Sequence, residues 1–271
     1  MSNFWKPLFT TTFAITTGSF SFIPDEFFSD FHSWTCLPDY WSTLANRVIF
    51  FCLVCIITAL CILVWRYFRS KLVLRGQNYR IIVEYGDILK QSKYQKVINF
   101  DECFTTELGN APHQIKLTSL CGQFLQKHPD INIPSLISEE KIKPTRKHSE
   151  YNNTLCYEPG STLRYNDYLL MAFSKLDSNG RASMSREDYL TCLNTLWKEV
   201  NKNFTQKDVV IPVLGAGLTC FNGEILSQQQ LVDMIIASYK LNPYKIKLPN
   251  SLRIICKKND EFSLNKIGEN L

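Results

Sequence analysis

Eighteen consecutive residues without a charge, Val48 to Trp65 (VIFFCLVCIITALCILVW), constrain this chain more than any other stretch of it. At ~1.5 Å of rise per residue such a helix is roughly 27 Å long, close to the hydrocarbon thickness of a bilayer. Arg66, Arg69, Lys71 and Arg75 follow at once, and a basic cluster beside a span is retained on the cytoplasmic side. Everything after it is therefore expected in the cytosol. Pro7 to Pro24 is a second uncharged run, but seven of its residues are Ser or Thr, so its transfer into lipid is much less favourable. Their hydroxyls can bond their own helix backbone. Thr10, Ala14, Thr17 and Ser21 set small groups along one helical face, which suits close packing against another helix. Asp25, Glu26, Asp30 and Asp39 lie between the runs with no Lys or Arg before Arg47, as an outward loop would. The expectation is a transmembrane hairpin within residues 1–76, with helices at about 7–24 and 45–67 and both termini cytoplasmic. A signal peptide, an interfacial segment and a plain anchor are the alternatives for the first run.

Residues 77–271 are expected to form one cytosolic domain. Beyond Arg75 the net charge is only +3, too little for a protein whose main partner is nucleic acid, where basic residues replace phosphate counterions. Cys103, Cys121, Cys156, Cys192, Cys220 and Cys256 are scattered singly and read as reduced, mostly buried thiols. Cys52 and Cys55 have CxxC spacing, but within a lipid-facing run that lacks further ligands for zinc.

The pattern of this second part alternates between periods. Tyr79 to Tyr85, Lys96 to Phe100, Tyr168 to Leu176, Asp208 to Leu214 and Leu252 to Cys256 read as strands. Ser119 to Lys127 has helical spacing, Ser185 and Asp188 have capping-box spacing before a helix to about Val200, and a helix carrying Leu231, Ile235 and Ile236 is expected directly after Gly217. Glu139 to Asn153 has no apolar period and reads as a surface loop. Alternating strands and helices imply a largely parallel sheet covered on both faces, with ligands bound beyond the carboxyl ends of its strands.

Two turns stand at such ends. Val213 to Phe221 (VLGAGLTCF) places glycines where a backbone can approach an anion, with donors expected from the amides of the helix start; the same glycines can serve close packing alone. Gly86, Asp87 and Ile88 follow the first strand of the domain. There an acidic side chain can accept from an exocyclic amine such as adenine's, or can simply cap a helix.

Together these segments resemble the macro domain, the α/β fold that binds ADP-ribose: a strand followed by GDI (Gly86 to Ile88), VIN (Val97 to Asn99) in the second strand, and a late strand running into GAGL (Gly215 to Leu218). The resemblance spans about Tyr79 to Lys258 and implies a macro-like mixed sheet flanked by helices. It further implies that Gly86, Asp87 and Ile88 hold adenine, and that Leu214, Gly215, Ala216, Gly217, Leu218 and Thr219, with Phe221, wrap the diphosphate. Asn99 and the segment Asp101, Glu102, Cys103, Phe104, Thr105 and Thr106, with Ser119 to Gln123 (Leu120, Gly122 and Gln123 foremost), would border the distal ribose. Hydrolytic macro domains carry two asparagines and a glycine-rich loop at the second strand. Here Asn99 stands alone, followed by Asp101 and Glu102, which favours binding without turnover, no catalytic residue and no cofactor.

Two membrane helices followed by a divergent macro domain are similar to the membrane effectors of type II Thoeris anti-phage systems. That resemblance implies a bacterial inner-membrane protein that senses an ADP-ribose-type messenger, histidine-linked ADP-ribose, made by a partner TIR protein. The protein would then self-associate and disrupt the lipid bilayer. A tethered ADP-ribosylhydrolase using Asp101 or Glu102 as base, and a passive scaffold, are the rival readings. No metal site is expected: Gly180 and Arg181 break a calcium-loop pattern begun by Asp177 and Asn179, and His32, His113, His128 and His148 lack ligand spacing.

Overall fold

A computed structural model describes residues 2–24, 26, 28, 39–217 and 219–268. The chain divides into two compact units, Met1–Arg69 and Ser70–Leu271.

The first unit holds helices α1 (Ser2–Phe22) and α2 (Asp39–Tyr67). In α1 the hydroxyls bond the preceding turn, Thr10 to the carbonyl of Lys6 at 2.7 Å and Thr16 to that of Thr12 at 2.8 Å. Leu8, Thr12 and Thr16, spaced four apart, are its buried stripe, while Thr10, Ala14, Thr17 and Ser21 lie on its exposed side. Phe20 packs on Phe50 of α2 at 5.8 Å between ring centroids, and the Arg47 guanidinium lies over Phe20. Among the described residues one helix is long and apolar enough to cross a membrane, at Thr43–Tyr67. Its Leu53, Ile56, Ile57, Leu60, Leu63 and Val64 are all exposed, an arrangement that water penalises and lipid does not. The hydroxyl-rich α1 falls short of that standard, so a two-span hairpin is not established. Asp30, read as part of an outward loop, lies outside the described residues.

The strands of the second unit are β1 (Lys71–Arg75), β2 (Arg80–Tyr85), β3 (Gln95–Asp101), β4 (Thr162–Tyr165), β5 (Tyr168–Leu176), β6 (Ala182–Met184), β7 (Val209–Pro212), β8 (Cys220–Phe221) and β9 (Leu252–Cys256). The central strands are rich in β-branched and aromatic residues, as in RIIVEY of β2 and VVIP of β7. Together the strands make one mixed sheet in the order β1-β2-β9-β7-β3-β5-β6-β8, with β4 also paired to β5. The central run β2-β9-β7-β3-β5 is parallel, and the β1–β2, β4–β5 and β5–β6 pairs are antiparallel. Lys71–Arg75, expected as a juxtamembrane stretch, is thus an edge strand, with Leu72 opposite Val83.

Parallel strands buried on both faces split their side chains between two cores. Val97, Leu169, Met171 and Phe173 join the core under helices α5 (Arg186–Lys202) and α6 (Gln228–Leu241). Ile98, Phe100, Leu170 and Ala172 join that under α3 (Leu120–Lys127), which also takes Ile133 of α4 (Ile133–Glu140). The stripe Tyr189, Leu193, Leu196 and Trp197 of α5 is buried, as its spacing predicts.

Local details refine the expectations. Ser185 caps α5 by accepting from the Asp188 amide, and the Asp188 carboxylate, which also faces Ser185, bonds Lys175 at 2.8 Å. The reciprocal box is at Ser227 and Gln230, starting α6. Glu139 and Glu140 belong to α4, so the loop begins after them. Finally, α6 does not follow Gly217: β8 intervenes, and the helix starts at Gln228 because Ser227 supplies its cap.

Candidate functional site

Parallel pairing puts the carboxyl ends of β2, β9, β7 and β3 side by side, since Tyr85 pairs with Cys256, Ile255 with Pro212, and Val209 and Val210 with Gln95 and Lys96. The Gly86–Ile88 turn, the turn after β7 and the segment after β3 therefore converge on one edge of the sheet. Ile88 seals the space beneath them, buried with Val210 and Ile255 and touched by Leu120. The Gly86 amide donates to the Cys256 carbonyl at 3.2 Å, which ties the first turn to β9.

Asp87 is exposed and caps a short 3-10 helix (Ile88–Lys90), accepting from the Leu89 amide through one oxygen at 2.9 Å. Its other oxygen faces Lys90 at 4.0 Å. The capping role is therefore real, and it leaves a carboxylate oxygen at the protein surface.

The two glycines after β7 differ. Gly215 has φ +84, and a Cβ there would lie 2.8 Å from the Phe221 ring. Leu214 and Phe221 are themselves in the core, with the Tyr189 hydroxyl donating to the Leu214 carbonyl at 3.0 Å. Gly215 is thus demanded by the fold, and Phe221 acts beneath the turn. Gly217 is exposed with nothing within 4 Å of a built Cβ. Because α6 starts at Gln228, donors to an anion here are the amides of the turn itself and not a helix start; of these, Ala216's is already given to the Val213 carbonyl at 3.2 Å. Thr219 is buried, and Leu218 lies outside the described residues.

Beyond β3 a register shift separates Phe100 from Asp101 and re-aims the segment that leaves the strand. The Asp101 carboxylate accepts from the amides of Cys103 at 2.9 Å and Thr105 at 3.0 Å, so it organises the turn in which Phe104 takes φ +53. Burial pushes its pKa up, against those hydrogen bonds. Glu102 is buried; its amide donates to the Ser174 carbonyl at 2.8 Å and its carboxylate accepts from the Leu176 amide at 3.4 Å. Burial raises its pKa too, with Asp101 adding and Lys175 opposing. Phe104 packs between Phe100 and Tyr157 in the core. Asn99 is half-buried on β3, and Thr106 and Gln123 are exposed. Gly122 is buried, and a Cβ there would collide with the Lys116 carbonyl oxygen, so it serves the packing of α3.

Of the sequence-predicted residues, Gly86, Asp87, Ala216 and Gly217 are exposed at the strand ends, whereas Ile88, Glu102, Phe104, Gly122, Leu214, Gly215, Thr219 and Phe221 are buried behind them. The Asp177–Gly180 segment is a hairpin turn, with the Asp177 carboxylate accepting from the amides of Asn179 and Arg181 at 2.8 Å each. Sequence reasoning did not foresee that Cys103 and Cys156, 53 residues apart, place their sulfurs 3.7 Å from each other beside Glu102. A separate cavity of about 20 Å³, lined by Trp197, Val200, Phe204 and Ile246 with the polar Asn201, Tyr239, Tyr244 and Lys245, is water-sized.

A family model described as Thoeris protein ThsA, Macro domain, matches residues 81–257. Thoeris protein ThsA of Bacillus amyloliquefaciens (strain Y2) is 28% identical over 207 residues, which cover 73% of this chain and 69% of that protein.

Proposed function

We propose, from the premise that this chain belongs to the Thoeris ThsA macro-domain family, that it reads an ADP-ribose-type messenger at its strand ends and acts through its membrane helix. Family membership places it in anti-phage defence. The ligand's identity, the membrane action and self-association are the proposal.

Gly217 carries the reading. It is exposed, its Cα is uncovered, and it sits on the turn after β7, next to β3, which leads to Glu102, and separated by β9 from β2, which leads to Asp87. A diphosphate on the amides of this turn would leave adenine toward Gly86–Ile88 and the distal ribose toward Asp101 and α3. Histidine-linked ADP-ribose is the ligand of choice because the family's messenger comes from a TIR partner.

Binding without turnover is supported by the use of both acids in the fold. One Asp101 oxygen accepts from two amides and Glu102 is buried against sulfur. The rival hydrolase predicts product from ADP-ribosylated substrate that disappears in Asp101→Ala.

For the membrane step, binding must favour one state over another to shift anything. Only Phe68, Arg69 and Ser70 lie between α2 and β1 along the chain, so a change in the sheet has little slack before it reaches the helix. The exposed Thr10, Ala14, Thr17 and Ser21 face of α1 supports assembly through small residues. Calorimetry on the detergent-solubilised full chain should show saturable binding of histidine-ADP-ribose, and liposomes carrying the protein should release dye when it is added. Leakage indifferent to saturating ligand would defeat the membrane step, and absence of binding heat would defeat the sensor itself.

A further inference from the structure

Glu102 and Cys103 follow β3 directly, and Cys156 returns from a loop more than fifty residues later, yet one carboxylate oxygen and two sulfurs lie within 4.8 Å of one another. The spacing of the sulfurs is informative. Two thiolates held at ~2.3 Å by a tetrahedral zinc stand about 3.8 Å apart, and these stand at 3.7 Å. A disulfide would need ~2.05 Å.

Backbone contacts fix both arms of this cluster. The Cys103 amide is held by the Asp101 carboxylate at 2.9 Å, the Glu102 amide by the Ser174 carbonyl at 2.8 Å, and the Glu102 carbonyl accepts from the Tyr157 amide at 2.8 Å. The last of these ties the residue beside one ligand to the backbone of another. The Thr154 hydroxyl lies 3.3 Å from the Cys103 sulfur and 2.7 Å from the Asn152 Oδ1, with one proton to give to either. Cys103 is half-buried and Thr154 exposed, which leaves an entry route from solvent. Two thiolates with one carboxylate select a borderline-soft ion such as zinc over magnesium or calcium, which take oxygen donors.

We propose that Glu102, Cys103 and Cys156 bind one zinc ion, which staples the Thr154–Cys156 loop to the carboxyl end of β3 and keeps a fourth position open to water. The three ligands must release their protons to bind, so zinc competes with protons for the site. The cluster shares Glu102 and Cys103 with the distal-ribose border of the nucleotide reading, and metal retention measured without nucleotide lets the two readings fail separately.

The full-length protein, purified reduced in detergent, incubated with Zn²⁺ and gel-filtered, should retain about one zinc per chain by mass spectrometry. Co²⁺ in its place should give a thiolate-to-metal charge-transfer band. Cys103→Ser and Cys156→Ser should each cut retention about tenfold or more, whereas Cys121→Ser, a buried cysteine outside the cluster, should keep it. Should a serine variant misfold, the wild-type cobalt band still decides. Folded wild-type protein that holds no stoichiometric zinc, zinc that survives Cys156→Ser, or a Cys103–Cys156 disulfide in place of the metal would each overturn the proposal.

Discussion

Gly215 and Gly217 are one residue apart, and the fold treats them oppositely. Gly215 has positive φ and the Phe221 ring beneath it, so Gly215→Ala forces a strained backbone and a clash. Its expected cost is about 1–3 kcal/mol, visible as a lower Tm of the solubilised chain. Gly217 has neither constraint. Gly217→Val should therefore leave Tm near the wild-type value while weakening ADP-ribose binding about tenfold or more, if a phosphate has to approach this Cα. Calorimetry and thermal unfolding on the same two variants separate the roles. Equal affinity for Gly217→Val and wild type would remove the diphosphate from this turn.

Among the elements, α5 is joined to β5 by Lys175 and Asp188, 2.8 Å apart. The Lys175 ammonium holds the Asp188 carboxyl below its ordinary range. A carboxyl whose folded pKa lies below its unfolded pKa stabilises the fold above the ordinary carboxylate range, and that contribution fades as pH falls through the folded value. Both side chains are about two-fifths exposed, so solvent screening limits the effect to under ~1 kcal/mol. Asp188→Asn should accordingly lower Tm slightly at neutral pH, with the gap to wild type closing in acid. The cap is a larger lever. Ser185→Ala leaves the Asp188 amide without its acceptor and is expected to cost about 1 kcal/mol in denaturant titration, at either pH.

For the whole molecule, the proposed residence in a membrane rests on the exposed apolar side of α2. Ile57, at the middle of the span, is 59% exposed, so Ile57→Lys swaps a lipid contact for a charge. Its insertion penalty is about 3 kcal/mol, and carbonate extraction of membranes should release more of the variant than of the wild type. Ligand binding by the second unit should survive that change. If dye leakage also survives it, α2 is not the element through which the protein acts.

Composition and spacing were enough for a helix long and apolar enough to span a bilayer, for the central parallel strands and for the turn positions, because each rests on a local period or an uninterrupted run. Strands such as Val209–Pro212 had to be covered on both faces, whereas the short β1, β4, β6 and β8 carry no such run. What each candidate site residue packs against was decided by the tertiary structure, since it depends on atoms far away in the chain. Phe221 beneath Gly215 and the Lys116 carbonyl over Gly122 give those glycines a packing role, and the Ser227 cap moves the start of α6 away from the turn. Cys103 and Cys156 meet only because β3 and a distant loop end at the same edge of the sheet, and no local pattern encodes a contact across 53 residues.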